Sequence, residues 1–206
     1  SIATPPAIAS ISIALASVPW VFVKAMVSNA PPFVPKLIAP AVLLVVAIEV
    51  VPVPLTSKAP PSVKRVEAFT FGTRLTRITK ELTSRDPDKA LSQTSAQVSD
   101  WSGGTRLGEC LRTFNDKWGV GGMARGSIFV VLSDGWDRGD PELLAEQMQR
   151  LNRVAYRVIW VNPLKVSPGY APLARGMAAA LPYVDDFVEG HSIQALEHLT
   201  RVISRD

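Results

Sequence analysis

The alternation of strand-like and helix-like segments over residues 63–206 limits this chain to a small set of architectures. Residues 127–133, SIFVVLS, form a continuous apolar run, which is typical of a central strand covered on both faces. Residues 63–72 are rich in β-branched and aromatic side chains, and 156–162 and 183–188 are further segments of strand length. Strands separated by helices favour a mostly parallel sheet, so we predict a doubly wound α/β fold.

Helix signals fall between these strands. Asp86 and Asp140 each stand directly before a proline, a pattern common at helix starts, and Ser192 is the expected cap of a last helix. An apolar stripe at helical spacing predicts a further helix, with the members Leu107, Leu111, Phe114 and Trp118. Cys110 lies on this stripe, and we interpret it as a buried core thiol rather than a reactive nucleophile.

The first 62 residues differ from the rest in composition. They hold 11 of the 17 prolines and four charged residues, and the uncharged run at 37–48 is predicted to form a buried strand. We therefore divide the chain into an atypical proline-rich apolar segment at 1–62 and a domain at 63–206. Three interpretations of the first segment stay open: a membrane-associated leader, a proline-rich extension, or a stretch altered by a frame error or truncation. The scattered prolines and the absence of any periodicity favour the third.

The composition excludes several classes of function. A single cysteine rules out a disulfide scaffold and a cysteine-based zinc cluster, and two histidines, His191 and His198, leave little for metal or acid–base chemistry. The net charge of +4 is not concentrated on one stretch, so nucleic acid is not an expected partner. A membrane partner is not expected either, because no basic region precedes the first apolar stretch.

Two polar loops are predicted to meet at one edge of the sheet. Thr105 lies in SGGTRLGE at 102–109, which leads into a helix, and Asp134 lies in LSDGWDRGD at 132–140, directly after the buried strand. One helix and one strand separate the two residues, so both return to the same edge, where ligands of such folds bind. A hydroxyl and a carboxylate facing one point suit Mg²⁺, which prefers oxygen ligands.

Five segments in order over about residues 65–200 resemble the von Willebrand factor A domain of CoxE-like proteins. They are RVEAFTFGTRLTRIT, DWSGGTRLGECLRTFN, VVLSDGWDRGDPELLAEQMQRL, VIWVNPL and PGYAPLARGMAAALPYVDDFVEGH. The succession of SDGWDRGDPELL and ARGMAAALP is the most specific part. The resemblance implies a doubly wound sheet with a metal-ion-dependent adhesion site, in which Thr105 supplies the second motif and Asp134 the third.

The resemblance also implies a function. Such a domain is a cytoplasmic, non-enzymatic interaction module that works with a MoxR-type AAA+ ATPase, and members of the CoxE kind are implicated in maturing the molybdenum–copper centre of carbon monoxide dehydrogenase. Its metal edge would bind an acidic side chain of the metalloenzyme client or of the ATPase. Trp136 and Asp137 are the candidate partner contacts, although Trp136 is equally expected to do no more than cover its loop.

The chain departs from the family pattern at the first metal motif. No aspartate precedes Asp86, and the pattern Asp-x-Ser-x-Ser occurs nowhere in the sequence. The nearest imitation, EVVPV at 49–53, has valines where the serine hydroxyls are needed. Thr105 and Asp134 would then be two ligands of a site that needs about six, so we expect weak Mg²⁺ binding or none.

An enzymatic function is the alternative. A metal-assisted phosphohydrolase or a nucleotide-binding α/β protein would use Asp134, Asp137 and Asp140 at the same edge. Such an enzyme also needs a general base or a phosphate-binding lysine there, and the sequence offers no evident candidate. The interaction module is therefore the favoured hypothesis.

Overall fold

The computed structural model describes residues 43–51, 62–84, 86–98, 104–165, 174–190 and 192–203. The strands are β1 (Leu43–Val51), β2 (Ser62–Phe71), β3 (Leu75–Arg77), β4 (Ser127–Leu132), β5 (Arg157–Asn162) and β6 (Asp186–Glu189). The helices are α1 (Pro87–Gln97), α2 (Leu107–Phe114), α3 (Pro141–Asn152), α4 (Arg175–Ala180) and α5 (Ile193–Ile203). Short helical turns lie at Glu81–Thr83 and Leu181–Tyr183, and a wider one, Asn115–Met123, follows α2 directly.

The strands form one sheet in the order β3-β2-β1-β4-β5-β6. β5 pairs in parallel with β4 and with β6, whereas β1 pairs antiparallel with both β2 and β4, and β3 pairs antiparallel with β2. β2 therefore points the same way as β4, and four strands (β2, β4, β5 and β6) share one direction. The predicted α/β fold is confirmed, and β1 and β3 are the strands that run against this direction.

Helices cover both faces of the sheet, as the continuous apolar sequence of β4 predicts. Every residue of β4 is buried. Ile128 and Val130 pack in a core layer with side chains of α1 and α5, while Phe129 and Val131 pack in a second layer with side chains of α2, α3 and α4. Alternate residues of one strand thus enter opposite layers, which makes the sheet doubly wound.

The capping predictions are confirmed. An Asp86 oxygen lies 3.0 Å from the backbone nitrogen two residues on, and Asp140 makes the same contact at 3.0 Å at the start of α3. Ser192 Oγ accepts a hydrogen bond of 3.1 Å from the backbone N–H three residues on, at the start of α5. Each cap satisfies an N–H group that has no partner inside its own helix.

The strand predicted in the run at 37–48 is confirmed from Leu43 onward, where β1 begins. β1 then continues to Val51. Residues 1–42 and 52–61 lie outside the described residues, and the division of the chain at residue 62 stays a prediction. Among the helices of the described ranges, none combines the length and the apolar character that a membrane crossing requires.

Candidate functional site

The carboxyl ends of β2, β4 and β5 lie at one edge of the sheet, which we call the upper edge. Gly72 follows β2, Asp134 follows β4, and Asn162 ends β5. The loops at 104–106 and 133–140 are built on this edge. In open α/β sheets the carboxyl ends of the strands are where ligands bind, so the upper edge is the candidate site.

Backbone hydrogen bonds bring the two predicted loops together. The N–H of Arg106 donates to the carbonyl of Gly72 (3.0 Å), which fixes the first loop to the end of β2. The N–H of Arg138 donates to the carbonyl of Thr105 (2.9 Å), which fixes the second loop to the first. Thr105 is buried, with 5% of its surface exposed. The predicted proximity of the Thr105 and Asp134 loops is therefore observed.

Asp134 is held in a turn at the end of β4. Its side-chain oxygen accepts a hydrogen bond from the backbone N–H of Trp136 (2.9 Å), and its carbonyl accepts one from Asn162 Nδ2 (3.3 Å). The carbonyl of the preceding Ser133 accepts a hydrogen bond from the indole N–H of Trp160 (2.9 Å). The end of β5 thus fixes the position of Asp134, whose side chain is half-buried.

The two candidate partner contacts, Trp136 and Asp137, differ in where their side chains lie: Trp136 faces solvent and Asp137 faces the protein. The Trp136 side chain is 73% exposed, the largest fraction among the exposed large hydrophobic residues of the described chain. Asp137 turns inward: its Oδ1 accepts a hydrogen bond from the N–H of Leu107 (2.8 Å), the first residue of α2, and its Oδ2 is buried without a partner. Asp137 thus acts as the cap that the residue before α2, Arg106, does not provide.

Two glycines allow the loop after β4 to lie directly on α4. A Cβ on Gly135 would lie 2.6 Å from Met177 Cβ, and a Cβ on Gly176 would lie 2.8 Å from the carbonyl oxygen of Gly135 and 2.9 Å from Asp137 Cβ. These glycines belong to SDGWD and ARGMAAAL, the most specific segments of the sequence. A larger residue at either position would separate the loop from the helix, so this contact requires both glycines.

The upper edge does not provide a complete magnesium site within the described residues. Thr105 and Asp134 supply two oxygens where Mg²⁺ takes about six, and one Asp134 oxygen already accepts the Trp136 N–H. In the described ranges no three His, Cys, Asp or Glu side chains are grouped so that they could hold a metal ion. The described residues therefore do not fit the group that the family pattern implies.

The direction of β1 explains why Glu49 cannot complete this site. β1 occupies the central place beside β4 but runs antiparallel to it, so Glu49 pairs with Ser127 at the start of β4. Ser127 lies five residues, or roughly 17 Å along the strand, from Leu132. Leu132 is at the end of β4 that leads into Asp134. The backbone of Glu49, the acidic residue of EVVPV, therefore lies at the opposite edge.

Two further side chains of potentially reactive type, Cys110 and His198, lie within the described residues. Cys110 is buried, and this burial raises the pKa of its thiol from 9.0 to about 12, which confirms the interpretation as a core thiol. His198 is half-buried on α5, and His191 lies outside the described residues.

The doubly wound sheet, with a threonine loop and an aspartate loop joined at its upper edge, is the arrangement that the resemblance to a von Willebrand factor A domain implies. The family model for VWA domain containing CoxE-like protein matches residues 51–196, which is more than half of the chain. The chain therefore belongs to the CoxE-like family of von Willebrand factor A proteins. Comparisons with curated proteins and with solved structures give no match.

Sequence reasoning missed the contacts that join loops far apart in the chain. The Asp137 cap links residues 30 positions apart, and the Asn162 bond to Asp134 links residues 28 apart, so neither has a local signal. For the contact between the loop and α4, the sequence signal was the presence of a glycine in each segment of the most specific signature, Gly135 in SDGWD and Gly176 in ARGMAAAL.

Proposed function

We propose that this protein is a non-enzymatic interaction module that works with a MoxR-type AAA+ ATPase in the maturation of a metalloenzyme of the carbon monoxide dehydrogenase type. Membership of the CoxE-like family supports a non-catalytic interaction role in general. The ATPase, the metalloenzyme client and a cytoplasmic location are our proposals.

One observation carries the choice of the upper edge as the docking surface. Trp136 is 73% exposed, although its loop is fixed to β5, to α2 and to α4 by the contacts described above. A rigid loop that presents a large aromatic side chain to solvent is typical of a binding anchor, because little conformational entropy is lost on docking. Thr105 and Asp134 belong to the two loops that the Arg138–Thr105 hydrogen bond joins, and we propose no step through Mg²⁺ because the described ligands are too few.

The test is co-precipitation of the chain with the MoxR-type ATPase of the same organism. We expect Trp136→Ala to abolish the association. Tyr156→Ala is the matched control, because Tyr156 is 57% exposed but precedes β5 at the opposite edge. Equal loss in both variants, or retention in Trp136→Ala, would refute the assignment of the docking surface.

The non-enzymatic proposal has its own test. The purified chain is assayed for hydrolysis of p-nitrophenyl phosphate in the presence of Mg²⁺. We expect no turnover above that of the Asp134→Ala variant. Turnover that disappears in this variant would instead support a metal-assisted phosphohydrolase.

A further inference from the structure

The turns that follow β4 and β5 at the upper edge have the same construction. We infer that Asn162 is the positioning residue of the docking surface: its side-chain amide joins the turn that carries Trp136 to a second turn, which adds Leu164 to the same surface. This inference rests on the proposed function, because it names the residue that holds the docking surface in place and a second residue that the partner contacts.

In each turn an acidic or amide side chain bonds to the backbone two residues on. Asp134 Oδ1 accepts a hydrogen bond from the N–H of Trp136 (2.9 Å), and Asn162 Oδ1 accepts one from the N–H of Leu164 (2.7 Å). Aspartate and asparagine stabilise turns in this way. Trp136 is 73% exposed and Leu164 46% exposed, and they are two of the three large apolar residues exposed in the described ranges. Each turn therefore presents a large apolar residue to solvent.

A further hydrogen bond joins the two turns. Asn162 Nδ2 donates to the carbonyl of Asp134 (3.3 Å), and Asn162 is fully buried. The N–H groups of Trp136 and Leu164 are thus connected through Asp134 and Asn162 by three hydrogen bonds in series, of 2.9, 3.3 and 2.7 Å. β4 and β5 are adjacent parallel strands, roughly 4.8 Å apart, so the two turns stand side by side at the upper edge.

Two other bonds from β5 hold the start of the loop after β4 and not the turn itself. The N–H of Ser133 donates to the carbonyl of Val161 (3.0 Å), and the indole N–H of Trp160 donates to the carbonyl of Ser133 (2.9 Å). Both bonds end at Ser133, one residue before Asp134. Asn162 is the residue of β5 whose side chain reaches Asp134, so it is the residue that positions the Trp136 turn.

The apolar residues, and not the charges around them, define what this surface contacts. Exposed groups of both signs surround Trp136: Arg138 and Arg175 are positive, and Asp140 and Glu142 are negative. Charge therefore selects no occupant. An exposed indole ring and an exposed leucine gain free energy when a partner buries their apolar area, and a fixed backbone reduces the entropy lost on docking. The surface thus takes apolar side chains of the partner.

Amide hydrogen exchange of the free chain, resolved by residue with NMR, tests the positioning without any partner. Asn162→Ser removes the bond to Asp134, while the serine hydroxyl can still accept the N–H of Leu164. We expect the N–H of Trp136 to exchange about two- to tenfold faster, the usual effect of one lost hydrogen bond, and that of Leu164 to change less. Asn162→Ala removes both bonds, so both N–H groups should exchange faster.

Asn152→Ser is the matched control. Asn152 Nδ2 donates to the carbonyl of Tyr183 at the same distance of 3.3 Å, but Asn152 ends α3 rather than β5. This variant should leave both turns unchanged. If Asn162 only fills space in the core, exchange in Asn162→Ser should rise throughout β4 and β5 and not first at Trp136. A protected Trp136 N–H beside an unprotected Leu164 N–H in the unmodified chain would overturn the inference even if the variants fail to fold.

Co-precipitation with the MoxR-type ATPase tests the surface itself. Leu164→Ala and Asn162→Ser should each weaken the association, whereas Tyr156→Ala and Asn152→Ser should not. If Trp136 exchange rises in Asn162→Ser but the ATPase does not associate with the unmodified chain, the positioning stands, and the proposed partner falls with its contact to Leu164. Unchanged Trp136 exchange, equal effects of Asn162→Ser and Asn152→Ser, or an association that Leu164→Ala leaves unchanged would overturn the inference.

Discussion

Replacement of Gly135 by alanine tests whether the loop after β4 is fixed to α4 by direct contact. Gly135 has a φ of +84°, and a Cβ there would lie 2.6 Å from Met177 Cβ and 3.2 Å from Met177 Cα. These Met177 atoms belong to or adjoin the helix backbone, and Met177 is fully buried, so the helix itself must move. Overpacking of this kind costs about 1–3 kcal/mol of unfolding free energy.

Gly126 offers the matched control. It has a φ of +68°, but a Cβ there would meet no atom within 4 Å. Gly126→Ala therefore bears only the backbone cost of the left-handed region, about 1–2 kcal/mol, which is offset in part by the lower entropy of the unfolded alanine chain. Gly135→Ala bears the same cost and the contact with Met177 in addition.

The assay is urea unfolding followed by circular dichroism, with the midpoint and slope fitted for each variant. We expect Gly135→Ala to be about 1–3 kcal/mol less stable than Gly126→Ala. Equal losses in the two variants would show that the loop does not rest on α4. The physical account of the SDGWD and ARGMAAAL signature would then be wrong.

Three further predictions follow from the core and the caps. Burial raises the pKa of the Cys110 thiol to about 12, so this thiol should not react with iodoacetamide in the native protein at neutral pH. Above pH 9 the unfolded thiol loses its proton while the folded one keeps it, so the free energy of unfolding should fall as pH rises. Phe114→Ala removes a ring whose centroid lies 5.1 Å from that of Phe129 and 5.2 Å from that of Phe69. A thermal melt should show that the free energy of unfolding falls by about 3–5 kcal/mol, and a smaller loss than in Asp140→Ala would contradict the packing. Asp140→Ala removes the cap of α3 and should cost about 1 kcal/mol in urea unfolding, whereas an unchanged midpoint would show that the cap is not formed in solution.

Local patterns predicted the elements whose causes are local. Asp86 and Asp140 cap helices through hydrogen bonds to residues two positions away. The unbroken apolar sequence of β4 by itself indicates a strand that is buried on both faces. These signals need no knowledge of the rest of the chain. The strands, helices and fold class were predictable for this reason.

The direction of β1 and the cap on α2 were not predictable in this way. The apolar sequence of β1 fits a central strand in either direction, and its antiparallel pairing with β4 is decided by tertiary contacts. Asp137 caps a helix 30 residues earlier in the chain, so sequence reasoning placed it among the partner contacts, whereas the structure turns it inward. The role of Asp137 as a partner contact stays a prediction, to be tested separately from that of Trp136.

Hydrogen–deuterium exchange of the chain with and without the MoxR-type ATPase tests the central claim most directly, because it locates the docking surface without any substitution. We expect protection at 104–107, 134–138 and 175–177, the upper-edge segments around Trp136, in the presence of EDTA. Protection confined to 124–126 and 153–156 at the opposite edge, or protection that appears only with Mg²⁺, would contradict the account.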